Sequence, residues 1–170
     1  MRHLLERASA GVAWVTSGVV ATAAVVMILA LLIQIFFRYV LGASLSWPGE
    51  LAQLLFAWTM LLAASIGVRE GFHVRLELLR GLLPDGLRAG LERVTLLLMT
   101  GFGVLLAVMG ADYVEQTLGQ RSAAMRYPIE VLHAAAPVTG ALIALHALAR
   151  LVRQDPEPAR PKAEPAEEAL

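Results

Sequence analysis

Cysteine is absent from this chain, which excludes a disulfide framework, thiolate catalysis and cysteine-ligated metal. Asparagine is missing too, and thirteen of the fourteen basic residues are Arg; with abundant Ala, Leu and Gly, this is the composition of a GC-rich bacterial coding sequence. Net charge is zero, which gives no case for nucleic-acid binding, since that relies on a concentrated basic surface. No HExxH, GxSxG elbow, phosphate loop or ligand-spaced carboxylate cluster occurs. The most informative lack is local. Four long apolar stretches carry no Asp, Glu, Lys or Arg in their central parts, Arg150 near one end excepted. Pumps and ion-coupled carriers need ionisable groups at membrane depth, so the pattern points to a scaffold or accessory subunit with no catalytic role.

What is present is apolar length. Hydrophobic residues make up 58% of the chain, and the stretches suffice to cross a hydrocarbon core about 30 Å thick. The expectation is an all-α polytopic membrane protein. Residues 1–153 form one four-helix domain, with spans at 8–37, 50–68, 92–112 and 128–152, and residues 154–170, rich in proline and charge, form a disordered cytoplasmic tail. Arg2 and Arg7 precede the first span as they would in a secretory signal, but the apolar run continues to Phe37, beyond the 7 to 15 residues of a signal core, so an uncleaved helix is expected.

Basic residues set the orientation. Arg2, Arg7, the five arginines from Arg69 to Arg93, and Arg150, Arg153, Arg160 and Lys162 fall on one side; Arg38, Arg121 and Arg126 fall on the other. The rule that basic loops stay in the cytoplasm places both termini inside. The first span exceeds the bilayer requirement and should tilt or project. Ser46-Trp47-Pro48 opens the second span, with Pro in a first turn and Trp47 at interfacial depth. Arg38 and Glu50 lie at the adjoining outer helix ends, where they either pair or snorkel separately. Between the second and third spans, Val74 to Leu83 mixes leucines with His73, Glu77 and Arg80 in a pattern that suits a short amphipathic helix in the inner interface, broken by Pro84-Asp85-Gly86, with Asp85 as a cap candidate. Gly103, Ala107 and Ala111, and Ala136, Gly140 and Ala144, repeat every four residues; such spacing permits close helix approach in lipid and also arises by chance in a chain this rich in alanine. His133 and His146, thirteen residues apart on the last span, raise haem, but His3 and His73, which lie outside the bilayer, are the remaining histidines, so opposing ligands are wanting and no cofactor is expected. A redox membrane anchor and a self-sufficient small transporter are the alternative classes.

One ordered pattern remains: Arg38-Tyr39-Val40-Leu41-Gly42, Ser46-Trp47, Glu50-Leu51, Trp58, Arg69, and His73 through Glu77, followed by Gln120-Arg121-Ser122 leading to Tyr127-Pro128. It resembles the small membrane subunit of tripartite ATP-independent periplasmic (TRAP) transporters over residues 8–152. Three positions depart from the typical family pattern: Gly49 replaces an acid, Ala63 stands where Gly is common, and Glu77 replaces Asp. The resemblance implies a bacterial or archaeal inner-membrane complex. In it, a periplasmic binding protein delivers an organic acid to a large permease subunit, an elevator driven by sodium, and the small subunit sits beside the large one in the lipid bilayer as scaffold. On that reading Arg38, Tyr39, Trp47, Glu50, Trp58 and Pro128 belong to partner or structural interfaces, the outer ones near the docking site, and Arg69, His73 and Glu77 fix the inner interfacial helix.

Overall fold

The structure, a computed structural model, describes residues 2–70 and 85–153. Its elements are α1 (Arg2–Val40), α2 (Trp47–Glu70), α3 (Asp85–Gln116), a single-turn α4 (Glu130–His133) and α5 (Ala135–Arg153). Four stretches are long and apolar enough to cross a membrane: Ser9–Val40, Trp47–Glu70, Gly90–Gln116 and Glu130–Val152. The four expected spans are all present, each with ends differing by a few residues. The interfacial helix expected at 74–83, His73, Glu77 and the tail from 154 onward lie outside the described residues.

Local chemistry explains the helix boundaries. α1 has 39 residues, about 58 Å of helix against a core about 30 Å thick, so it tilts or projects as its length requires. It stops where Gly42 adopts φ +65°, a conformation that costs glycine nothing, and the amide of Ala43 closes back on the Phe37 carbonyl at 3.0 Å. α2 starts at Trp47 with Pro48 in its first turn, where the missing amide donor is not needed. α3 begins at Asp85 itself, one position from the cap expected there. The last apolar stretch is two pieces, where a single helix was expected. Pro137 has no N–H for the His133 carbonyl and its ring crowds that turn, so α4 ends at His133 and α5 begins at Ala135.

The helices stand in a row, in the order α1, α2, α5, α3. α3 packs most extensively on α5, α1 on α2, and α2 on α5, while the two edge helices α1 and α3 share no substantial contact. The α3–α5 seam is built from glycine. A Cβ on Gly103 would lie 2.7 Å from the Ala144 nitrogen, and one on Gly140 would lie 2.5 Å from the Ala107 nitrogen. The two small-residue repeats therefore face each other, with one correction: the third step on α3 is Gly110, whose Cβ would meet Pro137 at 2.8 Å, while Ala111 is exposed. Because lipid competes for apolar surface as well as a neighbouring helix does, close backbone contact supplies the association. Beside the seam Val68, Ile143 and Ala147 form the buried cluster, with Met99 and Leu106 against it.

Candidate functional site

Each end of the row is tied by a charged side chain that reaches across helices. At one end Arg150 on α5 donates to the Val68 carbonyl of α2 at 2.9 Å and to Glu92 of α3 at 3.3 Å. It reaches a carbonyl in the last described turn of α2. Nearby, the ring of His146, fully buried, shares a 2.9 Å hydrogen bond between Nδ1 and the Ser9 hydroxyl, which joins α5 to α1. Arg69 is exposed beside this end.

The other end is organised by Glu50. Residues 121–128 form a minimal hairpin, closed by an antiparallel bridge between Arg121 and Pro128 and by the Ser122 amide donating to the Tyr127 carbonyl at 3.0 Å. The Tyr127 amide donates in return to the Ser122 hydroxyl at 3.2 Å. At its tip the Ala124 amide donates to Glu50 Oε1 at 2.7 Å and the Met125 amide to Glu50 Oε2 at 2.9 Å. One carboxylate in the first turn of α2 thus accepts both amides of a loop 74 residues away. Charge-assisted bonds of this type are short and strong. Burial, and after it the Glu50 charge, push the Tyr127 phenol above its ordinary pKa of 10.0.

Below the hairpin Trp58 Nε1 donates to the Val131 carbonyl of α4 at 3.0 Å. The Thr117 hydroxyl lies within hydrogen-bonding distance of the carbonyls of Tyr113 and Val114 and shares a 3.0 Å hydrogen bond with His133 Nδ1. The His133 ring also lies against Tyr113, centroids 4.5 Å apart. His133 is thus hydrogen-bonded to a hydroxyl in the turn after α3, and His146 to one on α1.

Of the residues singled out in the sequence, Glu50, Trp58 and Pro128 are gathered into this cap. Arg38, Tyr39 and Trp47 are exposed at the same end. Arg38 does not pair with Glu50, whose oxygens face the hairpin; its guanidinium lies 5.9 Å from the Tyr39 ring. Gly49 leaves room beside Gln34, since a Cβ there would sit 3.4 Å from the Gln34 amide nitrogen, and that amide donates to Leu45 O at 3.4 Å. The Arg150 tie and the hairpin tip escaped the sequence reading. The signal for the first was the lone arginine within an apolar stretch; for the second, the Ser122 to Pro128 turn chemistry.

Residues 27–157 match the family model described as "Tripartite ATP-independent periplasmic transporters, DctQ component". The chain belongs to this family. Among curated relatives, the C4-dicarboxylate TRAP transporter small permease protein DctQ of Rhodobacter capsulatus is 31% identical over 108 residues, 60% of this chain and 46% of the relative. The protein of the same name from Vibrio cholerae is 27% identical over 89 residues, 52% of this chain and 38% of the relative. A 58-residue stretch, 34% of this chain, is 40% identical to part of the sialic acid TRAP transporter permease protein SiaT of Haemophilus influenzae, where it covers 9% of that protein. The chain thus spans less than half the length of each of these relatives. As a DctQ component with four apolar helices, it is a multi-pass membrane protein of a transport system, and the cap around Glu50 is a feature of a transporter subunit.

Proposed function

We propose that this chain is the small accessory subunit of a TRAP transporter, packed beside a large elevator-type permease and supporting sodium-driven uptake of an organic acid delivered by a periplasmic binding protein. The complex sits in the inner membrane with both termini of this chain in the cytoplasm, which puts the Glu50 end on the periplasmic side. The carrying observation is that every charged residue in the four spans lies within four positions of a span end. Two of these hold the fold together: Glu50 ties α2 to the hairpin, and Arg150 ties α5 to α2 and α3. A chain so built holds shape and has no Asp, Glu, Lys or Arg at mid-depth with which to bind ion or solute, and its one deep histidine, His146, is engaged by Ser9, so translocation falls to another subunit. The DctQ relatives' own names, which speak of a small permease protein for C4-dicarboxylates, support an organic acid as cargo.

The test is affinity purification of the tagged chain from its native membrane in mild detergent, with identification of stable companions by mass spectrometry. A polytopic subunit of about a dozen spans in near-equal amount is the expected result. Recovery alone, or with redox subunits and absorbance in the Soret region, overturns the proposal.

A further inference from the structure

We infer that the groove between α1 and α2 holds an acyl chain of an anionic phospholipid of the inner leaflet, with Arg69 against its phosphate. The choice of leaflet rests on the orientation proposed above; the binding does not.

Three observations carry it. First is the shape of the groove. It has a volume of about 820 Å³ and is lined by Trp14, Gly18, Thr22 and Val26 of α1 and by Leu55 of α2. Trp14, Gly18 and Thr22 follow at four-residue spacing on one helix face, so a glycine and a short hydroxyl leave a notch between larger side chains. Past Val26 the same face carries Leu29 and Ile33, both exposed, and the notch ends. From Trp14 to Val26 is about 18 Å of helix, close to one leaflet of a core about 30 Å thick. A helix of another subunit crosses the whole core and would need a longer notch; an acyl chain spans one leaflet.

The lining is the second. The Ser17 hydroxyl donates to the Ala13 carbonyl at 2.8 Å and the Thr22 hydroxyl to the Gly18 carbonyl at 2.9 Å, so both protons are taken inside α1 and the walls suit methylene groups. Trp14 at the inner mouth is 81% exposed, and indole rings favour the headgroup level.

The third is a cation in register with that mouth. α2 packs antiparallel to α1, and a Cβ on Gly49 would lie 3.4 Å from the Gln34 amide nitrogen. Twenty residues on along α2 is Arg69, and twenty back along α1 is Trp14, so the two are level. Arg69 follows Leu55 by fourteen residues, which puts it within about 40° of Leu55 around the helix, on the face that lines the groove. Glu70, the neighbouring acid, is about 100° further round. Arg69 is exposed and pairs with no acid among the described residues. An anionic phosphate supplies the missing charge, and the chain below it fills the notch.

The experiment uses the full-length chain with Trp47→Phe and Trp58→Phe, which leave Trp14 as the fluorophore, in phosphatidylcholine vesicles containing increasing amounts of brominated lipid. Half-maximal quenching should occur at a mole fraction about fivefold lower for brominated phosphatidylglycerol than for brominated phosphatidylcholine. Arg69→Gln should abolish that difference, and Gly18→Leu, which fills the notch, should remove most of it. Arg93→Gln, at an exposed cation on the far edge helix α3, should leave it unchanged. Equal quenching by the two lipids overturns the inference. So does an equal loss with Arg93→Gln, which would make the preference one of general surface charge. In the complex purified from its native membrane, shedding of the large subunit by Gly18→Leu would assign the groove to that subunit, again against it. Cleavage of an N-terminal tag by protease added to intact spheroplasts would overturn the orientation, and with it the leaflet, without touching the lipid preference.

Discussion

α1 and α5 are both apolar helices of one chain, yet 6% of the apolar window of α1 is buried against 33% in the last span. The difference lies in what neighbours them. α5 stands between α2 and α3, and the glycines at 103, 110 and 140 allow backbones to touch. α1 stands at an edge, buries Ser9, Ala13, Thr16 and Ala30, and leaves Gly11 and Gly18 facing open space. Glycine alone therefore does not make a seam; a facing small residue on a second helix does. It also follows that a row of four helices exposes far more apolar surface than a closed bundle of the same length, as befits a subunit that lives in lipid and beside another protein.

The sharpest way to break this comparison is to put the same bulk on both sides of it. Gly140→Leu places carbon into the backbone of α3 and should cost at least about 3 kcal/mol, seen as loss of folded protein in detergent. Gly18→Leu should leave the thermal unfolding of the isolated chain unchanged, because nothing lies within 4 Å of its added Cβ. If Gly18→Leu proves as damaging as Gly140→Leu, α1 is not an open edge. If it lowers recovery of the large subunit alone, the open face of α1 is where that subunit packs.

The two ends can be compared next. Arg150→Ala removes the donor to the Val68 carbonyl and to Glu92 and should lower stability by about 1 to 3 kcal/mol. Glu92 is partly exposed at 3.3 Å, so its coupling to Arg150 in a double-mutant cycle should be below about 1 kcal/mol; a larger value would make the ion pair, and not the helix-end carbonyl, the main contact. At the other end Trp58→Phe keeps the aromatic bulk and loses the bond to Val131, a change of about 1 kcal/mol in the same unfolding measurement.

How far these features were legible differs by kind. Apolar runs announced the four spans, because lipid imposes length and composition on any helix that crosses it. The start of α2 followed from Pro48, whereas the stop of α1 at Gly42 was not read from the sequence, which ended that span at residue 37. Hydropathy carries no information on the order of helices in the row, so the choice between chance and seam at Gly103 and Gly140 was not open to it. Pro137 signals a break by its missing amide, yet the unbroken apolar run around it masked the signal. Glu50 looked like a plain helix-end acid, since its partners are backbone amides 74 and 75 positions away, and backbone amides leave no mark in sequence. Arg38, the nearest opposite charge in the chain, was the wrong partner for that reason.

The smallest expected effect reads the Glu50 cap directly. Tyr127 ionises above its ordinary pKa because it is partly buried and because Glu50 is negative nearby, in that order. Deprotonation adds a second negative charge to the same corner, so removing the first must lower the phenol pKa, while burial, left in place, keeps it above the ordinary value. Glu50→Gln should therefore shift the ultraviolet titration of Tyr127 down only part of the way, with Tyr39 and Tyr113 removed by Phe substitution to isolate the signal. The same variant weakens the acceptors of the Ala124 and Met125 amides, whose hydrogen exchange should speed up. A full return to the free-tyrosine value would mean that the hairpin had opened and exposed the ring, making Glu50 the element that holds the cap closed; no shift with unchanged exchange would mean that the hairpin's own bonds suffice and that the carboxylate only rests against it.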